Sequence, residues 1–170
     1  MRATDFDNDG DLDLFVGGRG VPGKYPMPDR SYILINDGGV FTDQTRAWSP
    51  ELEYPGMVTD ALVTDLNGDD LPDLVITGEW MSIWFYLNTG NGFVHHPPGF
   101  DEFYLPGWYY SLKEVDYNGD GKMDIVAGNM GNNHKFHPTK DEPFHVFLDD
   151  FDENGTFDIV IKNVSFYEEK

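Results

Sequence analysis

One nine-residue acidic loop is written four times in this chain, at residues 5–13, 65–73, 116–124 and 150–158, and each copy runs directly into a short apolar segment. Those segments are Leu14-Phe15-Val16, Leu74-Val75-Ile76, Ile125-Val126-Ala127 and Ile159-Val160-Ile161. Brief β-branched runs bounded by Gly or Asn read as strands. Three of the loops are also preceded by strand-like runs, Ala61–Thr64, Tyr110–Val115 and His145–Leu148. The chain is thereby restricted to repeated hairpins with an acidic loop at each tip.

At positions 1, 3, 5 and 9 the loops read Asp5/Asp7/Asp9/Asp13, Asp65/Asn67/Asp69/Asp73, Asp116/Asn118/Asp120/Asp124 and Asp150/Asp152/Asn154/Asp158. Oxygen donors at alternate residues of a tight loop can converge on one hard cation. Ca²⁺ takes six to eight oxygens at about 2.3–2.6 Å in flexible geometry, whereas Mg²⁺ demands a smaller octahedron and keeps its waters. The pattern predicts side-chain ligands at positions 1, 3 and 5, a backbone carbonyl at position 7, and a two-oxygen carboxylate at position 9. Position 7 is Asp11, Leu71, Lys122 or Thr156. That chemical variety fits a ligand supplied by the main chain. Position 6 is Gly10, Gly121 or Gly155, where a left-handed turn is expected; Asp70 takes this place in the second loop, and Asp tolerates that region better than most residues. Up to four Ca²⁺ are expected.

An EF-hand starts in the same way but needs a bidentate Glu at position 12 and flanking helices. Here position 12 is Val16, Ile76, Ala127 or Ile161. Two more strands are legible after each of the first two loops: Ser31–Asn36 and Val40–Thr42 around a turn at 37–39, then Ser82–Asn88 and Phe93–Val94 around a turn at 89–92. Repeated four-stranded antiparallel units are the sequence form of a β-propeller. The expected fold is all-β, with blades of four-stranded antiparallel sheets in an incomplete propeller of three to four blades. Repeats are placed at about 1–50, 55–98, 105–143 and 144–170.

The block Asp65 to Gly78, with Trp84-Phe85-Tyr86-Leu87-Asn88 and Gly92-Phe93 behind it, resembles an FG-GAP or VCBS repeat, the blade of integrin-α-like propellers. Gly107-Trp108-Tyr109-Tyr110-Ser111, the third loop, Val126 to Phe136 and Asp149 to Asp152 are similar to a narrower, cartilage-acidic-protein-like (ASPIC/UnbV-associated) branch of large secreted or surface proteins. The resemblance implies calcium-binding loops in a propeller and no settled biochemical activity.

The loops begin 60, 51 and 34 residues apart, so the third unit is short of strands and segment 144–149 is expected to serve two units. Few residues precede the first loop, and open blades leave unpaired edges; a piece of a larger propeller, or a chain completed by a second copy, is expected. Thirty-one acidic residues against eleven basic give a net charge of −20. Crowded carboxylates repel without metal, so folding and calcium binding should be linked. Such a field disfavours nucleic acid and anionic membrane surfaces, and no apolar run reaches membrane-spanning length. There is no cysteine from which to read a redox compartment. Loops of this kind suit the high-calcium exterior, so an extracellular or cell-surface location is expected, with any signal peptide upstream. Asn163-Val164-Ser165 and Asn154-Gly155-Thr156 are glycosylation sequons, the second discounted as part of a loop.

Other chemistry is thinly represented. His95, His96, His134, His137 and His145 lack the fixed spacing of a zinc site. No nucleophile elbow, Cys nucleophile or P-loop is present. Aromatics form 15% of the chain. Trp84 and Tyr86 share a strand face and read as core, while Trp48, Tyr54 and Trp108, in connecting segments, are candidates for an exposed sugar-stacking platform. The expectation is a non-enzymatic, calcium-stabilised module that binds a protein or glycan partner. The rival is an accessory or catalytic propeller of a polysaccharide-degrading enzyme.

Overall fold

The computed structural model describes residues 1–95, 105–131, 133, 139, 141–143 and 145–162. Strands β1 (Arg2–Thr4), β2 (Asp13–Val16), β3 (Tyr32–Asp37) and β4 (Val40–Asp43) form one antiparallel sheet in sequence order. β2 alternates buried and half-buried residues, as a strand with one face on the core must. Asp37 pairs with Val40 across Gly38 and Gly39, both at positive φ (60° and 92°). This is the two-residue turn whose twist matches a hairpin. A helical turn α1 (Thr45–Trp48) and a single 3₁₀ turn (Pro50–Leu52) then lead into the second unit.

That unit contains β5 (Met57–Thr64), β6 (Asp73–Met81), β7 (Trp84–Asn88) and β8 (Phe93–His95). β6 runs between β5 and β7, with Leu74 opposite both Val63 and Tyr86. It is nine residues long and outlasts β7, so its far end, Glu79 and Met81, pairs with Trp108 and Gly107 at the start of β9 (Gly107–Val115). β9 pairs in turn with β10 (Asp124–Asn129). The six strands β5 to β10 therefore share one hydrogen-bonded sheet, where separate four-stranded blades were expected. The cause is the length of β6, which leaves backbone groups beyond Ile76 for β9 to satisfy. The fourth loop joins β11 (His145–Asp149) to β12 (Asp158–Lys162), and among the described residues β11 pairs with β12 alone.

Both faces of the second unit are buried. Leu74, Ile76, Tyr86 and Phe93 join Phe6, Phe15, Ile33, Trp48 and Leu52 in one apolar cluster, while Val75 and Phe85 turn to the opposite face and pack with Leu112, Ile125 and Ala127. Alternation along β6 and β7 thus turns one face of the second unit to the first sheet and the other to the β9–β10 hairpin, the face-to-face stacking of propeller-like blades. Phe6 meets Phe93 edge-on at 5.4 Å between centroids, and Trp48 lies 5.3 Å from Phe93. Trp48 is consequently core at 8% exposure, not the exposed platform expected from its connecting segment. The helical turn folds it inward, a tertiary outcome with no local signature. Tyr54 is exposed at 60%, Trp108 is half-buried, and Tyr86 is fully buried beneath a half-buried Trp84. Close backbone approach fixes Gly78, where a Cβ would collide with the carbonyl of Met57.

Candidate metal centres

The four loops are built alike. The residue before position 1 pairs with position 9 across the hairpin in every copy: Thr4 with Asp13, Thr64 with Asp73, Val115 with Asp124, and Asp149 with Asp158. The first carboxylate accepts the position-6 N–H, from Gly10 to Asp5 at 2.9 Å, Asp70 to Asp65 at 3.0 Å, Gly121 to Asp116 at 3.0 Å and Gly155 to Asp150 at 2.8 Å. Position 3 accepts the position-5 N–H, and position 5 accepts the N–H of position 7. The ninth carboxylate reaches back to the position-2 N–H, from Phe6, Leu66, Tyr117 and Phe151. Each main chain therefore curls around its own carboxylates, with Asx-type turns supplying the curvature.

Two positions in every loop need positive φ. At position 6 the values are 98° for Gly10, 66° for Asp70, 82° for Gly121 and 86° for Gly155. Asp70 takes up the conformation that glycine holds elsewhere. Position 4 does the same, with Asn8 at 59°, Gly68 at 81°, Gly119 at 75° and Glu153 at 58°. Sequence reasoning overlooked position 4, although Gly or Asn in three of four copies was an available signal.

In the first loop Asp5, Asp7 and Asp13 bring carboxylate oxygens within 4.8 Å of one another, and Asp150, Asp152 and Asp158 do so in the fourth. These are positions 1, 3 and 9. The position-5 side chains of Asp9 and Asn154 accept the N–H groups of Asp11 and Thr156, both at 2.8 Å. In the second and third loops the third position is an amide, and Asn67 and Asn118 donate to Asp69 at 2.9 Å and Asp120 at 3.1 Å. Of the position-7 residues, Asp11 directs its carboxylate to the Gly38 N–H at 2.7 Å, Leu71 is half-buried, Lys122 is exposed, and Thr156 donates its hydroxyl to Asn154. The ion pairs among the described residues involve Arg2, Arg19, Arg30 and Arg46, and none of them reaches a loop carboxylate.

The electrostatics follow from burial and backbone donors. Burial, joined by the charges of Asp13, Asp9 and Asp5, pushes the Asp7 carboxyl up. Burial likewise raises Asp73 against the N–H groups of Asn88 and Leu66 that hold it down. Asp65 moves the other way because the N–H groups of Asp70, Gly68 and Asp69 stabilise its charge. Burial and like charge thus favour the neutral form of Asp7, whereas backbone donors favour the charged form of Asp65.

One asparagine extends each of the first two loops into its own sheet. Asn36 N donates to Asp13 at 2.8 Å and Asn88 N to Asp73 at 2.7 Å, so the ninth carboxylate is held at both oxygens. The Asn88 side chain also donates to Pro72 O at 3.1 Å and to Phe6 O in the first loop at 2.8 Å. It thereby ties two successive loops together. The recurrence of Asn just before the Gly-containing turn, Asn36-Asp37-Gly38 and Asn88-Thr89-Gly90, was the missed signal. Asn88→Ala leaves these buried carbonyls without donors and is expected to cost roughly 1–3 kcal/mol, read by chemical denaturation, whereas an unchanged midpoint would deny the tie. Of the histidines, His95 stacks on Tyr86 at 4.5 Å and His145 is exposed; His96, His134, His137 and the Asn163 sequon lie outside the described residues.

Comparison with protein families places this geometry. A model described as an FG-GAP-like repeat matches residues 5–76 and again residues 65–127. Each match opens on the first aspartate of one loop and runs past the ninth residue of the next. No curated protein gives a significant match.

Proposed function

This chain belongs to the FG-GAP-like repeat family, and on that footing we propose that it is a non-enzymatic, calcium-stabilised module of an extracellular or cell-surface protein, presenting its surface to a protein or glycan partner. The observation that carries the metal reading is the shared loop scheme, in which main-chain N–H groups orient the carboxylates of positions 1 and 9 in all four copies. The donor set is oxygen throughout, with three carboxylates gathered in the first and fourth loops, which suits Ca²⁺. Calcium would be held by positions 1, 3, 5 and 9 with a position-7 carbonyl, neutralising the loop and fixing the hairpin. The block from Gly107 to Phe136 supports the cartilage-acidic-protein-like branch. No helix among the described residues is long and apolar enough to cross a membrane.

Calorimetric titration tests the metal reading. Two to four calcium ions per chain are expected, with Mg²⁺ binding far more weakly. Affinity should fall with acidity. Burial raises the Asp7 and Asp73 carboxyls above the ordinary carboxylate range, so protons compete with the metal increasingly as the solution is acidified, and calcium binding displaces them. Absence of calcium heat at neutral pH would sink the metal reading.

A further inference from the structure

We infer that Asn88 couples the first two loops, so that a calcium ion held in either one raises the affinity of the other. The inference rests on the calcium reading above and adds a regulatory link between its sites.

Asn88 ends β7 and is 2% exposed. Its main-chain N–H donates to Asp73, the position-9 carboxylate of the second loop, at 2.7 Å. Its side-chain NH₂ donates both to Pro72 O, at position 8 of that loop, and to Phe6 O, at position 2 of the first loop. The side-chain oxygen accepts the Gly90 N–H at 2.8 Å, which fixes the amide plane. The Phe6 carbonyl belongs to the peptide that leads into Asp7, a position-3 ligand, and the Phe6 N–H donates to Asp13, the position-9 ligand, at 2.7 Å. A path of buried hydrogen bonds therefore runs from Asp73 through Asn88 and Phe6 to Asp13.

Packing stiffens that path. Phe6 is fully buried and meets Phe93 edge-on, and Phe93 pairs with Asn88 across the β7–β8 hairpin. The first loop thus rests on the second sheet through its main chain and its side chain alike. In the third and fourth loops position 2 is Tyr117 at 85% exposure and Phe151 at 55%, so neither is anchored in this way. Asn36 supplies an internal contrast. It makes the same contacts to its own loop, from its N–H to Asp13 and from its side chain to Leu12 O at 3.2 Å; the bond to a preceding loop is what Asn88 adds.

The sign of the coupling follows from ordering. Once Asp73 is committed to a cation, the end of β7 and the Asn88 amide are fixed with it, and the Phe6 peptide has less freedom left to lose when the first loop binds. The second loop to fill then binds more tightly, and the effect is reciprocal. Charge alone gives the opposite sign, because filling one loop makes the potential at the other less negative, and that contribution is screened over about 8 Å at physiological ionic strength. Asn88 is a positioning residue here, since it touches ligands and not the ion.

Calcium titration of the full chain in about 0.15 M NaCl, followed by ¹H–¹⁵N NMR, reads each loop through its position-6 amide, Gly10, Asp70, Gly121 or Gly155. Asp69→Ala removes a position-5 ligand of the second loop at an exposed place. It is expected to move the Gly10 midpoint to at least about fivefold higher calcium and to leave Gly121 and Gly155 where they were. Asp9→Ala, equally exposed, should move the Asp70 midpoint in the same direction. In an Asn88→Ala background both shifts should vanish, whereas in Asn36→Ala, which weakens the first loop alone, they should persist. An unmoved or lowered Gly10 midpoint in Asp69→Ala, or coupling that survives Asn88→Ala, would overturn the inference. Should Asn88→Ala fail to fold, the two exposed variants decide the matter, since absence of either cross-loop shift is enough to reject the coupling. Calcium responses at Gly10 and Asp70 that ignore each other's loop remove this inference alone, and no calcium response at any of the four amides removes the metal reading and the coupling with it.

Discussion

Asp13→Ala and Asp73→Ala are expected to cost about 3 kcal/mol each and to lower the melting temperature by roughly 6–12 °C even in EDTA, whereas Asp124→Ala should cost only about 1 kcal/mol under those conditions. All three residues hold position 9, so a role confined to metal ligation would predict similar behaviour. The structure separates them. Asp13 and Asp73 are fully buried, and each accepts two main-chain N–H groups, one from its own loop and one from the third strand of its sheet. Alanine leaves both donors without a partner. Asp124 is half-buried and accepts the Tyr117 N–H alone among the described residues, and that donor can turn to water. Part of the loss at Asp73 is offset, because burial disfavours its charge, but two orphaned buried donors outweigh that relief. Adding millimolar Ca²⁺ should enlarge all three losses by a similar amount, since every position-9 variant then also forfeits metal stabilisation. Urea denaturation of the three variants decides the matter, and equal losses in EDTA would show that the third-strand contacts carry little.

The strands were legible because their causes are local. The short apolar run Leu14-Phe15-Val16 and the Gly-containing turns at 38–39 and 90–92 specify hairpins within a dozen residues, and the observed strands follow those boundaries closely. The left-handed turn at Asp70 was legible for the same reason. What escaped was produced by contacts between distant residues. The Asn88 side chain reaches Phe6 O across 82 positions, and nothing near either residue announces the other. Trp48 looked exposed because its neighbours are polar and proline-rich, yet α1 folds it against Phe6 and Phe93. The joining of β9 to β6 depends on how far β6 outlasts β7, a length set by Trp80 and Met81 rather than by any alternation. The contacts of Arg19 and the Tyr25 hydroxyl with the buried Glu79 carboxylate are of the same kind, since residues more than fifty positions apart meet only when two repeats pack.

Thermal unfolding in millimolar Ca²⁺ is expected to lie roughly 10–20 °C above that in EDTA. At a free calcium concentration one hundred times the dissociation constant, each site adds about 2.7 kcal/mol, so two strong loops supply about 5 kcal/mol, and each kilocalorie moves a domain of this size by about 2–4 °C. Mg²⁺ at equal concentration should give a much smaller shift, because it surrenders its waters reluctantly to an irregular cage. Matched ionic strength in NaCl is the necessary control. The chain carries −20, and salt alone relieves general repulsion between exposed charges over about a Debye length. That relief is indifferent to cation identity, whereas coordination by Asp5, Asp7 and Asp13 is not. Asp7→Asn should therefore remove part of the calcium-specific increment at the first loop while leaving the NaCl response intact. Were NaCl to reproduce the whole calcium effect, the acidic loops would act as solvated turns closed by their own N–H groups, and the hydrogen-bond scheme common to all four would suffice to explain their recurrence.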